Sequence, residues 1–354
     1  GWYDEPDNLR VYGSARIRYR DTGEGSVWGD GGSRIGVVGN WQVVPKRWLF
    51  GGFEAGFNLL DRVDQLIDSG SASGENKDDI FTRLAYVVIE GPRVFLTVGK
   101  NWSTYNKVAS FTDRFEGTGG SASGVYNAQT DGGQTGTGRA DGVLQTRYHI
   151  GKINNQLGVK PFKLNFQLQN GQPIPGIDGV DYGTAFGFSA IMVTSNEFTL
   201  GIAYNHADVK DVLDTRVSES GIDGDAQALV LGSRWFEENW YLGAVVARLE
   251  NHETTDELVY FDGTGYEVYA QYRVKGPWWL TGGFNYLAPD DDQLQAGAYK
   301  IEYGVLGLRY SIDEFSRMLY FNIRFDNGAL QDGETTSNIY TLGVRWDLGR
   351  TFSW

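Results

Sequence analysis

Residues 9–20 alternate without a break. Leu9, Val11, Gly13, Ala15, Ile17 and Tyr19 fall on one face of an extended chain. Arg10, Tyr12, Ser14, Arg16, Arg18 and Arg20 fall on the other. A period of two specifies a β-strand with one apolar face. Similar strand-like runs fill residues 33–44, 48–61, 80–90, 93–100, 139–148, 162–170, 182–193, 197–208, 226–236, 240–251, 266–273, 278–286, 298–310, 318–325 and 338–348. This gives about sixteen strands, each near the ~9–11 residues that a strand needs to cross a bilayer. No segment carries a convincing helical period. The chain reads as a single all-β domain, residues 1–354.

An apolar face repeated this often must be covered. A soluble sandwich buries it against a second sheet, whereas a transmembrane antiparallel β-barrel turns it to lipid and encloses a wet lumen with the other face. Period alone does not choose, but the connections do. Short ones at Pro45-Lys46-Arg47, Gly91-Pro92, Thr194-Ser195-Asn196, Glu237-Glu238-Asn239 and Lys275-Gly276-Pro277 alternate with long ones at 209–225, 253–265, 287–297 and 326–337. Further polar loops are expected at 21–32 and 62–79. An even-stranded barrel, with short turns on one membrane side and long loops on the other, requires that alternation. Trp41 and Trp48 flank one short turn, Trp235 and Trp240 another, and Trp278-Trp279 follow a third. Such positions suit an interfacial girdle of amphipathic rings.

Residues 102–138 break the pattern. A run of about 35 residues without periodicity is unusual in a compact domain and is usually functional or disordered. It is Gly/Ser-rich, carries Asp113 and Glu116 close together, and has Tyr105 and Phe111 to pin them. We expect this third long loop to fold into the barrel lumen and narrow a pore, its Gly-rich tip at 117–138 narrowing it further.

Composition excludes several classes. The 31 basic and 45 acidic side chains give a net charge of −14, the wrong sign for a nucleic-acid partner. With no cysteine there is no disulfide and no thiolate metal site. Glycines number 49 against 8 prolines, and glycines inside strands imply close packing and curvature rather than linkers. No apolar run reaches the ~20 residues of a transmembrane helix, which leaves strands as the means of crossing. The chain starts at Gly1 without a charged-then-apolar leader, so a secretory signal is expected to be absent or already removed.

The whole-chain pattern resembles the general porins of Gram-negative outer membranes. The resemblance is sharpest at Val11-Tyr12-Gly13, Ser33-Arg34-Ile35-Gly36 and Thr82-Arg83-Leu84-Ala85. It is equally sharp from Gly99-Lys100-Asn101-Trp102 through Phe111-Thr112-Asp113 to Gly138-Arg139-Ala140-Asp141-Gly142. It implies a homotrimer of sixteen-stranded diffusion channels, in contact with outer-membrane lipid and lipopolysaccharide, that pass ions and small hydrophilic solutes. It also implies a constriction in which an inward-folded loop presents acids to a row of wall arginines. By position these are Asp113 and Glu116 facing Arg34, Arg83 and Arg139. Two departures stand out. The basic residue that often follows Tyr-Gly in the first strand is Ser14 here, so Arg16 or Arg18 would supply that charge. The Pro-Glu-Phe-Gly-Gly run of the loop is replaced by Arg114-Phe115-Glu116-Gly117, and Arg114 is placed to neutralise a carboxylate. The C-terminal aromatic Trp354 fits the family's insertion signal, but residues 349–354 extend past the usual strand end near Leu348.

Facing rows of charge set a transverse field across a narrow aqueous neck. Unit charges a few ångströms apart there interact by roughly 1–4 kcal/mol, enough to bias ions without trapping them. The net charge suggests weak cation selectivity, although much of the acid falls in expected outer loops, at Asp223, Asp225, Asp256 and 290–292. An enzyme is not expected. His149, His206 and His252 have no metal-ligand spacing and no Ser nucleophile motif, and the glycine runs at 117–124 and 136–138 lack a phosphate-loop ending. No cofactor is expected beyond a structural Ca2+ or Mg2+ on Asp290, Asp291 and Asp292, for which a self-solvating acidic loop is the plainer reading. The alternative function is a substrate-specific channel for sugars, peptides or anions. It calls for an aromatic track or an excess of lumen lysines, neither of which can be traced.

Overall fold

The computed structural model describes residues 7–23, 25–60, 80–151, 161–194, 197–210, 212–313 and 316–353. The strands are β1 (Asn8–Asp21), β2 (Ser26–Asp30), β3 (Arg34–Val44), β4 (Arg47–Phe57), β5 (Ile80–Glu90), β6 (Val94–Trp102), β7 (Arg139–Ile150) and β8 (Phe162–Asn170). They continue as β9 (Tyr182–Val193), β10 (Phe198–Val209), β11 (Ala226–Phe236), β12 (Trp240–Thr254), β13 (Tyr260–Lys275), β14 (Trp278–Pro289), β15 (Ile301–Asp313), β16 (Arg317–Asp326) and β17 (Ile339–Ser353). From β3 onward each strand pairs antiparallel with the next, and β17 returns to β1 in register from Asn8↔Ser353 to Asp21↔Tyr340. β2 and β3 share one place in the ring, because β1 pairs with β3 up to Ser14 and with β2 from Ile17. The result is a closed sixteen-stranded antiparallel barrel.

Three details differ from the sequence expectation. The loop expected at 21–32 contains β2, a hairpin partner of β1. Asp21 turns the chain by accepting the Gly23 N–H at 2.9 Å, and Asp30 bends it into β3 by accepting Gly32 and Ser33 N–H groups at 2.6 and 2.7 Å. The loop expected at 253–265 is mostly strand, since β12 runs to Thr254 and β13 begins at Tyr260. Residues 349–353 continue β17 and pair with β1 down to Asn8, so the extension supplies the hydrogen bonds that the start of β1 needs. Among the described residues helix occurs in short turns, including Asn106–Ala109 and Thr215–Glu219. The described residues hold no helix long and apolar enough to cross a membrane. The loop expected at 62–79, most of the turn at 194–196 and Trp354 lie outside the described residues.

The two faces separate as the alternation requires. On β16, Leu319, Phe321 and Phe325 are exposed while Tyr320 and Asn322 are buried. On β10 and β11, Leu200, Ile202, Leu229 and Leu231 are exposed while Ala203, Asn205, Ala228 and Val230 are covered. Trp41, Trp235, Trp240, Trp278 and Trp346 lie on the exposed face. Trp240 packs on Tyr272 at 4.3 Å and Trp278 on Tyr310 at 4.8 Å, between ring centroids. Trp48 and Trp279 correct the girdle expectation. They are 2% and 7% exposed on the opposite face, because a one-residue step along a strand reverses the side chain. Trp279 lies under Arg309, 5.0 Å from the ring centre.

A charge placed in the exposed apolar belt must be desolvated by lipid. Leu231→Arg, at a position 48% exposed, is expected to cost about 2–4 kcal/mol in denaturant-titrated folding into lipid vesicles. A smaller loss would mean that this position lies near an interface.

Candidate functional site

The segment between β6 and β7 is bolted to the wall along most of its length. Its base closes where Ser103 N donates to Gly138 O at 2.9 Å. The helical turn Asn106–Ala109 lays Val108 and Ala109 against β10 and β11, and Phe111 follows. Tyr105, Ala122 and Val125 complete a dry cluster with Ala203, Ala228, Val230, Val245, Ala247 and Leu249 of the wall. These wall residues lie on the face opposite the exposed apolar one.

Glycines make the seat. Gly201 and Gly232 face each other across β10 and β11. A Cβ on either would come within 2.8 or 2.9 Å of Val108 side-chain carbons. On β12 and β13, a Cβ on Gly243 or Gly265 would strike the Phe111 or Ala122 carbonyl oxygen. Glu267, two residues from Gly265, ties both limbs of the segment. Its carboxylate accepts the Thr112 hydroxyl at 2.5 Å and the Ala122 N–H at 2.7 Å. Further along, Asn285 accepts Gly120 and Ser121 N–H groups at 3.1 and 3.0 Å. Asn205 and Gln167 donate to the Thr135 and Gly136 carbonyls at 2.7 and 2.9 Å.

Two charged groups lie along this segment. In the first, the Asp113 carboxylate accepts the Tyr126 hydroxyl at 3.3 Å. It opens to water on one side and is enclosed by protein on the others. That enclosure pushes its pKa above the ordinary carboxyl range, against the pull of Tyr126, Arg139 and Arg34. Arg83 pairs with Glu54 at 2.6 Å, and Tyr12 donates to the other Glu54 oxygen at 3.0 Å. Arg139 pairs with Asp131 at 3.0 Å, and Lys100 bridges Asp131 at 3.3 Å and Asp141 at 2.5 Å. Burial opposes the charge on Asp131, but Arg139 and Lys100 outweigh it and hold its pKa low.

The second group surrounds Glu116. Its carboxylate is 3.6 Å from Arg345, which forks onto Asp347 at 2.6 Å. Arg18 and Arg20 both donate to the Gly117 carbonyl, at 3.1 and 2.8 Å. Arg16 donates to Ser14 at 2.8 Å, and the Ser14 hydroxyl is bonded to Asp347. Glu116, Gly117 and the four arginines Arg16, Arg18, Arg20 and Arg345, with Tyr320 and Arg324, line a cavity of about 330 Å³.

Thus Asp113 shares its surroundings with Arg34 and Arg139, while Glu116 meets the arginines of β1 and β17. Arg114 goes elsewhere. It stacks over Tyr241 at 4.1 Å and leaves both carboxylates. Sequence reading missed Glu54, Asp131, Arg345 and Asp347. The signal for the last two was present, since both occupy the polar register of the final strand, which becomes the neighbour of Ser14 and Arg16 on ring closure. Asp290 is spent on Arg248 at 2.6 Å, and Asp290, Asp291 and Asp292 do not converge as one ligand set among the described residues.

Solved structures share this architecture. The OmpF of Salmonella typhi, solved in complex with daunomycin, matches at a TM-score of 0.78 with 20% identity, over 98% of this chain and 99% of that one. The in-vitro folded, trimer form of OmpT from Vibrio cholerae matches at 0.64 with 14% identity, over 97% and 100%. A variant of the Rh. blastica porin matches at 0.60 with 13% identity, over 96% and 100%. The fold is that of the porins. No family model and no curated protein matches the sequence.

Glu267→Ala removes both carboxylate hydrogen bonds that hold residues 112 and 122. Each such bond is worth about 1.5–3 kcal/mol. Amide exchange across residues 112–122 is expected to speed up at least tenfold while β12 and β13 stay protected. Unchanged exchange would show that the apolar cluster alone seats the segment.

Proposed function

We propose that the protein is an outer-membrane porin of a Gram-negative bacterium. In this reading it forms a water-filled channel for passive diffusion of ions and small hydrophilic solutes, and residues 103–138 lie within the lumen. The observation that carries it is the reach of that segment. It leaves the wall between β6 and β7, yet it bonds to β8, β10, β13 and β14 and takes two arginines of β1 on the Gly117 carbonyl. A chain bonded to the polar face at so many places around a closed ring crosses the space that the ring encloses.

The neck is then bounded by Asp113 and Glu116 on the segment and by Arg16, Arg18, Arg34, Arg83 and Arg139 on the wall. Opposed rows of this kind create a transverse field that favours polar, hydrated solutes. Arg18 and Arg20 are held by the Gly117 carbonyl, Arg16 by Ser14 and Arg345 by Asp347, so the field is preorganised rather than carried by loose side chains. A homotrimer, with lipid and lipopolysaccharide around it, accords with the exposed apolar belt.

Planar-bilayer recording and liposome swelling test this reading together. Three equal conductance steps with passage of small sugars are expected. A closed barrel would overturn the proposal, and saturable flux of one solute would favour a substrate-specific channel for sugars, peptides or anions. The double variant Asp113→Asn with Glu116→Gln is expected to move the zero-current potential in a salt gradient toward anions.

Asp113 also sets a pH dependence. A raised pKa means that the carboxyl takes up its proton at a higher pH than the ordinary ~3.9 of Asp. Acidification therefore removes its charge early. Cation preference is expected to fall as pH drops through a window above that value, and Asp113→Asn is expected to abolish this step while leaving any later one. A wild-type profile identical to that of Asp113→Asn would remove Asp113 from the neck.

A further inference from the structure

The outward register of β10 changes character near its end. Leu200 and Ile202 are exposed and apolar, and Tyr204, His206 and Asp208 follow at the same two-residue spacing. Asp225 stands immediately before β11, and the Ala207↔Ala226 pairing brings it beside this pair. His206 Nε2 lies 2.9 Å from Asp208 Oδ1 and 3.7 Å from Asp225 Oδ2. One ligand atom from each residue falls within 4.8 Å of the others.

The trio is held in position. The His206 ring packs on Phe186 at 5.0 Å and stacks on Tyr204 at 6.5 Å, between centroids. The second Asp225 oxygen accepts the Val209 N–H at 2.9 Å, which aims Oδ2 at the imidazole. Neighbouring side chains point the other way, as Asn205 does in donating to Thr135 O at 2.7 Å. The cluster is therefore separate from the charged neck, and nothing in the channel reading uses it.

The donor set has a chemical preference. A tetrahedral ion with bonds of ~2.0–2.1 Å keeps its ligand atoms roughly 3.3 Å apart. The two separations from the imidazole nitrogen straddle that spacing and all three ligand atoms lie within 4.8 Å of one another, so modest side-chain shifts close the set around an ion. Two carboxylates and a neutral imidazole carry the charge that balances a divalent cation. Imidazole suits Zn2+, Cu2+ and Ni2+, whereas Ca2+ takes six to eight oxygens and Mg2+ demands an octahedral oxygen shell. We propose that His206, Asp208 and Asp225 form a divalent transition-metal site of the Zn2+ class on the outer face of the barrel rim, with a remaining position open to water. It is distinct from any site at 290–292, and its ion ties the connection before β11 to the end of β10.

Titration calorimetry with zinc chloride on the full chain in detergent micelles, at neutral pH, tests the site. One saturable ion per chain is expected, with low-micromolar or tighter affinity. His206→Ala and Asp225→Asn are each expected to weaken it roughly 100-fold, with β-sheet circular dichroism retained. Co2+ in place of Zn2+ should give the intense visible absorption of a tetrahedral centre, lost in His206→Ala. Absence of saturable binding, equal affinity in His206→Ala, or full displacement by excess Ca2+ would each overturn the proposal. The first two would leave His206 and Asp208 as a simple hydrogen-bonded pair. Channel conductance is expected to be the same in His206→Ala, so a failure here is separable from a failure of the porin reading.

Discussion

Everything in this molecule depends on the pairing of its last strand with its first. An open sheet this large would leave two rows of unpaired N–H and C=O groups, each costly wherever water is absent. β17 meets β1 over the full length of β1, and that one ladder removes both edges. It also assembles the charged group around Glu116. Ser14 and Arg16 come from one end of the chain, Arg345 and Asp347 from the other, and only closure makes them neighbours. The residues past Leu348 acquire their meaning in the same way, as partners for the start of β1.

The second constraint is space. If the segment between β6 and β7 lies within the lumen, as proposed, it must be ordered or it would sweep that space. Order here comes from removing wall side chains as well as from wall hydrogen bonds to the segment. Gly201, Gly232, Gly243 and Gly265 let a helical turn and two carbonyls approach backbone to backbone. Glycine weakens a strand, so the wall accepts a local loss of strand stability in exchange for a fixed partition. Glu267 then fastens the two limbs on either side of the acidic residues, which limits how far Asp113 and Glu116 can drift.

The sequence carried most of the architecture because its information is local. Alternation in 318–325 predicts that Leu319, Phe321 and Phe325 face out against Tyr320 and Asn322, and they do; in 9–20 the contrast is weaker, with Val11 and Ala15 exposed and Ser14 buried but Arg10 exposed as well. The alternation of short and long connections predicts the ring. What was illegible depended on register between distant strands. Trp48 and Trp279 sit one residue off the girdle positions, and a single-residue step is invisible without knowing the neighbour. β2 was hidden because Val27 and Trp28 are flanked by glycines and an acidic turn that read as loop. Arg83 and Arg139 were singled out by the resemblance, but their ion-pair partners Glu54 and Asp131 were not. A partner on another strand or on the segment leaves no spacing in the sequence.

That last point changes how charge should be read here. A net charge of −14 describes the whole chain, but a solute in the proposed neck would respond to the charges within about a Debye length, ~8 Å at physiological salt. Within the two charged groups the acids are largely matched. Glu54 answers Arg83, Asp131 answers Arg139 and Lys100, and Asp347 answers Arg345. Against that balance, the guanidinium groups of Arg18 and Arg20 rest on a neutral carbonyl. In the proposed neck the local sign would then be set by the acids least compensated by pairing, which are Asp113, bonded to the neutral Tyr126, and Glu116, whose Arg345 partner at 3.6 Å is shared with Asp347. On the proposed reading, two carboxylates out of 45 acidic side chains would therefore weigh more on ion preference than the net charge of the whole chain.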